Sequence, residues 1–293
     1  MQIVVFSTVF KDKDLPYIQT LFDVLHEEGI NAYVFATYLE QLRGHVQFKS
    51  DVGTMESYLD FKTHRFDYVV TLGGDGTILN VITQVRDSGV PILGINLGRL
   101  GFLADIEKGQ IREAILLLKK GMFKIEERAL IHLESNIPLF DSCNFALNDC
   151  TFLKRDTSSM ITIHTYINGA YLNSYWADGL IIATPTGSTG YSLSCGGPII
   201  FPDSNNFVLT PVAPHNLNVR PVVISDTSTI SFEIEGRADN FLCTLDSRFE
   251  TINATYQLAV RKADFKIKLI QFFHQNFLDT MREKLVWGKD ARN

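Results

Sequence analysis

Short apolar runs alternate with segments of helical period through the first third of the chain. Residues 2–6 (Gln-Ile-Val-Val-Phe) read as a buried strand, and 15–28 as an amphipathic helix closed by Gly29. Residues 31–35 form a second apolar run, and 66–72 a third. Residues 77–88 place Ile78, Ile82 and Val85 on one helical face, with Gly89 as a stop. Residues 90–95 read as another buried strand and 111–120 as a helix, while the polar stretch 44–52 shows no period. Strands joined by helices predict a parallel sheet covered on both sides, a Rossmann-like α/β arrangement.

The pattern changes after about Lys124. Apolar runs at 160–167, 179–183, 229–234 and 241–245 are short, rich in β-branched residues and bounded by turn residues. Asn168-Gly169 is a hairpin-turn signal between two such runs. The tail predicts a strand at 265–270 and a helix at 276–286. The expectation is an α/β plus all-β chain: an α/β nucleotide-binding domain over 1–124, a β-rich, sandwich-like domain over 125–262, and a tail, 263–293, that packs back on the first domain. No internal repeat or low-complexity segment is present.

Composition narrows the function classes. The chain has 293 residues, 45% apolar and 20% charged, which is globular. A formal charge of −6 argues against a general nucleic-acid binder, which needs a basic surface for backbone phosphates. The four cysteines, Cys143, Cys150, Cys195 and Cys243, include no C-x-x-C pair and read as structural thiols of a reducing compartment. The first residues read as a strand rather than a leader, and no apolar stretch reaches the roughly 20 residues that span a bilayer. A cytoplasmic protein with no nucleic-acid or membrane partner is expected.

Candidate chemistry concentrates in a few segments. Leu72-Gly73-Gly74-Asp75-Gly76-Thr77 sits on a strand-to-helix turn. Its glycines let backbone approach a ligand, and the helix start offers unpaired N–H groups to an anion. A carboxylate beside such a phosphate cradle suggests another task for Asp75, holding a hydroxyl or reaching a metal carried by a nucleotide. Residues 177–194 carry an apolar strand into Thr184-Pro185-Thr186-Gly187-Ser188-Thr189-Gly190-Tyr191-Ser192-Leu193-Ser194, whose hydroxyls suit sugar hydroxyls and base edges and whose Tyr191 offers a stacking face. Asn148-Asp149 pairs an amide with a carboxylate, and Gly98-Arg99-Leu100-Gly101-Phe102 lies past the end of a parallel strand, where open α/β sheets bind ligands. His215 and Arg220 share a loop. No histidines stand at metal-ligand spacing, and no G-x-S-x-G elbow, Walker loop or G-x-G-x-x-G fingerprint occurs.

Together these segments resemble the NAD kinase family. The matches are Gly73–Thr77, Gly98–Phe102, Asn148-Asp149, Asp178-Gly179, Thr184–Ser192 and Pro214–Pro221, in order. The glycine-aspartate run is shared with diacylglycerol, sphingosine and 6-phosphofructo-kinases; the threonine-glycine-serine run is more specific. The resemblance implies transfer of the ATP γ-phosphoryl group to the 2′-hydroxyl of the adenosine ribose of NAD. It implies Asp75 as general base or hydroxyl-orienting group. Asn148 would hold the adenine, Asp149 its ribose, and Asp178 the nicotinamide end. Gly76, Phe102, Thr186, Thr189, Gly190, Tyr191, Ser192, Leu193 and Ser194 would complete the NAD site. Gly73, Gly74, Gly76, Thr77, Arg99, His215 and Arg248 would meet phosphates. The implied fold is an α/β domain followed by a β-rich one, in a homodimer or homotetramer. Phosphoryl transfer has a loose transition state, so Asp75 is expected to orient the hydroxyl and take its proton late. The charge of ATP calls for Mg²⁺ or another divalent ion, held mainly by the phosphates, with no metal site of the protein's own.

The chain departs from the family pattern at four places. Asp149 stands where glutamate is usual, Gly190 for alanine, Trp176 for arginine, and Asp246-Ser247-Arg248 for aspartate-glycine-glutamine. Two rival readings remain at this level: a lipid or sugar kinase sharing the glycine-aspartate turn, and a non-catalytic dinucleotide sensor, which would not need Asp75.

Overall fold

The computed structural model describes residues 1–8, 10–98, 101–155, 159–273 and 276–285. The chain divides into two compact units, residues 1–127 with 267–293, and residues 128–266.

In the first unit, strands β1 (Gln2–Phe6), β2 (Asn31–Phe35), β3 (Gly53–Met55), β4 (Tyr68–Leu72), β5 (Ile92–Asn96) and β6 (Ile106–Glu107) alternate with helices α1 (Leu15–Glu27), α2 (Ala36–Leu42), α3 (Asp60–Thr63), α4 (Asp75–Val85) and α5 (Ile111–Lys119). The main path runs β5-β4-β1-β2-β3, with every pairing parallel. β4 and β5 are apolar and buried along almost their whole length, as strands covered on both faces must be. Ile18, Leu21 and Leu25 of α1 and Ile115 and Leu118 of α5 cover one face, and Gly94 of β5 packs against Ile78 of α4 on the other. Gly29 and Gly89 end their helical segments at φ +63° and +72°. Helix α4 starts at Asp75 rather than near Thr77, because Gly74 takes the extended conformation of the cap. α2 and β3 were not expected. α2 is only seven residues long, too short to display a clear period, and it is buried through Tyr38, Leu39 and Leu42. The unperiodic stretch after it contributes Val46, Phe48 and Val52 to the same core.

The second unit is antiparallel. Its strands are β7 (Lys124–Ser135, which begins just before it), β8 (Phe145–Ala146), β9 (Asp149–Lys154), β10 (Ile161–Ile167), β11 (Ala170–Ala177), β12 (Gly179–Ala183), β13 (Asn206–Val212), β14 (Val222–Ser225), β15 (Ile230–Gly236), β16 (Phe241–Leu245), β17 (Arg248–Ile252) and β18 (Leu258–Gln271), with the short helix α6 (Tyr191–Ser194). One run of strands is β11-β10-β15-β18 and the other β14-β13-β12-β9-β16-β17. β10 and β16 alternate buried and partly exposed residues. Their inner faces pack together: Ile163, Tyr175 and Phe232 meet Phe152, Leu180, Phe207 and Phe241 in one core, with the Phe152 and Phe232 rings 4.9 Å apart. Asn168 and Gly169 take φ +51° and +82°, the turn expected between β10 and β11. β12 is buried at every position. Cys195 and Ile200 pack against Ile181 and Ala183, on the side away from the main core.

β18 is longer than the strand expected at 265–270. It begins at Leu258, where it pairs with β15, and ends parallel to β5 through Leu269 and Ile92. Ile270 and Phe272 then join the core of the first unit, so the tail returns there. Helix α7 (Phe277–Leu285) follows; Val286, included in the expected helix, lies outside the described residues.

Candidate active site

In the first unit, β1 has β2 on one side and β4 on the other, so successive connections depart in opposite directions at this point. Open α/β sheets bind ligands at the carboxyl ends of such strands. Register places Phe6 opposite Thr71 and Leu72 opposite Ile95, bringing three strand ends level. A cavity of about 210 Å³ opens there, lined by Ser7, Lys11, Lys13, Asp14, Leu72, Gly73, Gly74, Thr77, Asn96, Leu97 and Gly98. Gly73, Gly74 and Thr77 were expected at phosphates; Lys11, Lys13 and Asp14 were not singled out.

The glycine turn is held tightly. The Thr77 N–H donates to the Gly74 carbonyl at 2.9 Å, and the Gly73 N–H to the Ile95 carbonyl at 2.9 Å. A Cβ on Gly73 would stand 2.0 Å from Thr77 Oγ1, so no larger residue fits. Ser7 Oγ donates to the Leu72 carbonyl at 2.6 Å and ties the end of β1 to the turn. Apart from that of Thr77, the first N–H groups of α4 lack intrahelical acceptors and suit an anion.

Asp75 is an acceptor for backbone. Its Oδ1 receives N–H bonds from Leu103 at 3.0 Å and Ala104 at 2.9 Å, and its Oδ2 one from Phe102 at 2.8 Å. Gly101 lies so close that a Cβ there would stand 1.8 Å from Oδ1. Asn96 Nδ2 donates to the Ala104 carbonyl at 3.3 Å, giving the same loop a second polar support. A carboxylate has about four acceptor positions; three are used, and the remaining one is on Oδ2. The Phe102 ring stands 6.3 Å from that of Phe277 on α7. Arg99 lies outside the described residues.

In the second unit, the Thr-Gly-Ser segment and Asn148-Asp149 are neighbours. Thr184 donates its N–H to the Asn148 carbonyl at 2.9 Å and its hydroxyl to the Leu147 carbonyl at 2.6 Å. Gly187 packs so tightly that an added Cβ would stand 2.0 Å from the Asn148 carbonyl oxygen. Several hydroxyls expected to face a ligand are engaged within the fold. Ser188 donates to Pro185, Thr189 donates to the Thr186 carbonyl at 3.1 Å, and fully buried Ser192 pairs with Thr210 at 2.8 Å. Thr186 is buried, Gly190 and Leu193 are half-buried, and Tyr191 and Ser194 are exposed. A Cβ on Gly190 would meet the Gly187 carbonyl oxygen at 3.2 Å, a contact an alanine accommodates with a small shift.

Asp246, at φ +54°, accepts from the N–H groups of Leu147 at 3.0 Å, Asn148 at 2.7 Å and Asp149 at 3.3 Å. It therefore shapes the Asn-Asp turn, a role with no signal in local sequence. Burial raises its pKa, opposed by those amides and by Arg248. Asp149 is 7% exposed, and burial, with the Asp246 charge second, pushes its pKa up to about 7, although Thr151 donates to it at 2.9 Å. Arg248, expected at a phosphate, directs its guanidinium to the carbonyls of Cys143 and Phe145. Asp178 forms an ion pair with Lys154 at 2.6 Å. Exposed His215 lies against Trp176, with ring centroids 4.2 Å apart.

All four cysteines are free thiols, and Cys150 and Cys243 are buried. Among the described residues no three acidic, histidine or cysteine side chains cluster to hold a metal, and no helix is long and apolar enough to cross a membrane.

Comparison with known proteins agrees with these two halves. Residues 4–123 match the ATP-NAD kinase N-terminal domain, and residues 147–272 the ATP-NAD kinase C-terminal domain. The chain is 47% identical to an NAD kinase of Cytophaga hutchinsonii, over 97% of each chain. It is 45% identical to an NAD kinase of Flavobacterium psychrophilum, over the whole of both. Among solved structures, yeast NADH kinase complexed with NADH superposes with a TM-score of 0.88 at 23% identity, over 99% of this chain and 89% of the other. An NAD kinase from Archaeoglobus fulgidus in complex with ATP gives 0.73 at 24%, over 97% of each.

Proposed function

The chain belongs to the NAD kinase family, phosphotransferases that convert NAD to NADP, and from that premise we propose how its own residues divide the work. The phosphates of ATP enter the cavity at the ends of β1, β4 and β5, against Gly73, Gly74, Thr77 and the open N–H groups of α4. Asn148 and Asp149 hold the adenosine end of the dinucleotide, the amide reading the base and the carboxylate the ribose diol. Tyr191 supplies a face for stacking, and Trp176 with His215 an aromatic surface for the nicotinamide end. Arg248 stabilises the Asn148-Asp149 turn through Asp246 rather than touching phosphate.

Asp75 accepts a hydrogen bond from the ribose 2′-hydroxyl on the free position of Oδ2. The hydroxyl oxygen attacks the γ-phosphorus, the bond to the bridging oxygen breaks, and ADP leaves. The proton passes to Asp75 late, as metaphosphate-like character declines. The rate then comes mainly from position and charge neutralisation, with proton acceptance adding ~10²–10⁴-fold. This assignment rests on the three backbone amides that fix the carboxylate while leaving one acceptor position open. A divalent ion arriving with ATP supplies charge neutralisation on the phosphates. By the family resemblance, the protein works in the cytoplasm as a homodimer or homotetramer.

The test couples the reaction to an NADP-specific dehydrogenase. Pure protein with NAD, ATP and Mg²⁺ gives signal, and Asp75→Asn lowers turnover at least ~10²-fold while NAD affinity changes only a few-fold. Near wild-type turnover in that variant removes Asp75 from the chemistry.

A further inference from the structure

Asp14 is a buried carboxylate with one oxygen that the fold leaves unpaired. It stands at the start of α1, yet makes no side-chain cap to that helix. It is 5% exposed, and its Oδ1 is buried with no hydrogen-bond partner. Buried polar atoms are ordinarily paired, and an unpaired carboxylate oxygen is among the most costly exceptions. Asp14 is also one of the residues that line the cavity shared by Lys11, Lys13, Gly73, Gly74 and Thr77. Two lysines and a glycine turn suit phosphate, whereas a lone carboxylate among them repels it. A divalent cation between carboxylate and phosphate removes the conflict. Mg²⁺ is commonly bound by one or two carboxylates together with substrate phosphates and retained waters, so a single acidic residue suffices.

We propose that Asp14 is the protein's own ligand to the divalent ion carried by the phosphoryl donor, binding it directly, with Lys11 and Lys13 beside the donor phosphates. The proposal rests on the reading that this cavity receives the donor. It also explains why a carboxylate with no structural bond on Oδ1 persists beside a cavity that Lys11 and Lys13 share.

Calorimetric titration of ATP, with Mg²⁺ and with EDTA, separates the possibilities. Asp14→Asn is expected to weaken binding of Mg²⁺·ATP at least ~10-fold while metal-free ATP binds as well as before or better, because a negative charge has gone. Asp14→Glu, which keeps the charge, is expected to retain the preference for the metal complex. Lys11→Ala combined with Lys13→Ala weakens both forms. Equal weakening of both forms in Asp14→Asn, as expected if Asp14 bonds a donor hydroxyl, overturns the proposal, and so does no change in either. If the lysine variant leaves ATP affinity untouched under both conditions, the cavity is not the donor site, and the underlying reading fails instead. Should Asp14→Asn not fold, Mn²⁺·ATP bound to Asp75→Asn protein carrying ¹³C in its aspartate carboxyl groups answers by pulsed electron paramagnetic resonance. A carboxylate coupling at bonding distance supports direct ligation, and its absence overturns it.

Discussion

Replacing Gly101 by alanine probes the position of Asp75 without altering its chemistry. The new Cβ would stand 1.8 Å from Oδ1 and 2.6 Å from the carboxylate carbon. Real Cβ atoms do not approach closer than 3.0 Å, so carboxylate and loop must separate by about 1.2 Å. Gly101 does not need a left-handed conformation, so the strain is confined to this contact. A 1 Å error in a reacting group can cost about 10²-fold in rate, or about 2.7 kcal/mol of barrier. The N–H bonds from Phe102, Leu103 and Ala104 lengthen together, and losing one bond to a charged acceptor costs about 1.5–3 kcal/mol of stability. The expected result is a fall in kcat of about 10²-fold, with a lower Tm and an NAD affinity changed only a few-fold. Combined with Asp75→Asn, the two losses should be far from additive, because both act on one carboxylate. Coupled assays on the single and double variants, with thermal melts on each, decide the matter. Wild-type kcat in Gly101→Ala would refute the claim that this loop positions the carboxylate for reaction.

Three further perturbations test other parts of the structure. Because burial holds the Asp149 pKa near 7 against an ordinary carboxylate value of 3.8, the folded state binds the extra proton between those pH values, and stability falls as pH rises through that window by at most about 1.4 kcal/mol per unit. Asp149→Asn should therefore gain stability relative to the parent from pH 4 to 7 and level off above it; a constant difference in melts across that range would contradict the shift. Gly187→Ala forces a Cβ to within 2.0 Å of the Asn148 carbonyl, so it should lower stability by about 1–3 kcal/mol and weaken NAD binding, and isothermal titration with unchanged affinity would separate that turn from the dinucleotide site. Arg248→Met removes the bonds to two carbonyls and a counter-charge to Asp246, so it should lower Tm while ATP and NAD affinities hold; an affinity loss of about 10-fold with unchanged Tm would return Arg248 to a phosphate.

Elements with strong local patterns are legible in the sequence. β1, β2, β12 and β16 follow apolar runs, and α1 and α5 follow a helical period, α1 with a stop at Gly29. The glycine turn was legible for the same reason, since a strand, two glycines and a helix start are consecutive residues. α2 has no clear sequence signal because seven residues carry little period, and the full length of β18 has none because its pairing partners, β15 and β5, lie far away in sequence. The Thr-Gly-Ser segment was recognised by residue type, but residue type did not reveal which hydroxyls are occupied. Thr189 and Ser192 bond within the fold, whereas the Tyr191 ring remains exposed.

Sequence alone determined the alternation of strands and helices, the change to antiparallel β structure near Lys124, and the family, because each is carried by neighbouring residues or ordered motifs. Only the tertiary structure decided that Asp75 grips backbone 27 to 29 residues away, that Asp246 shapes a turn nearly a hundred residues earlier, and that Asp14 stands with two lysines at the ends of β1, β4 and β5. Hydrogen bonding and desolvation depend on which groups a fold brings within about 3 Å, and a charge cannot be weighed until its surroundings are known.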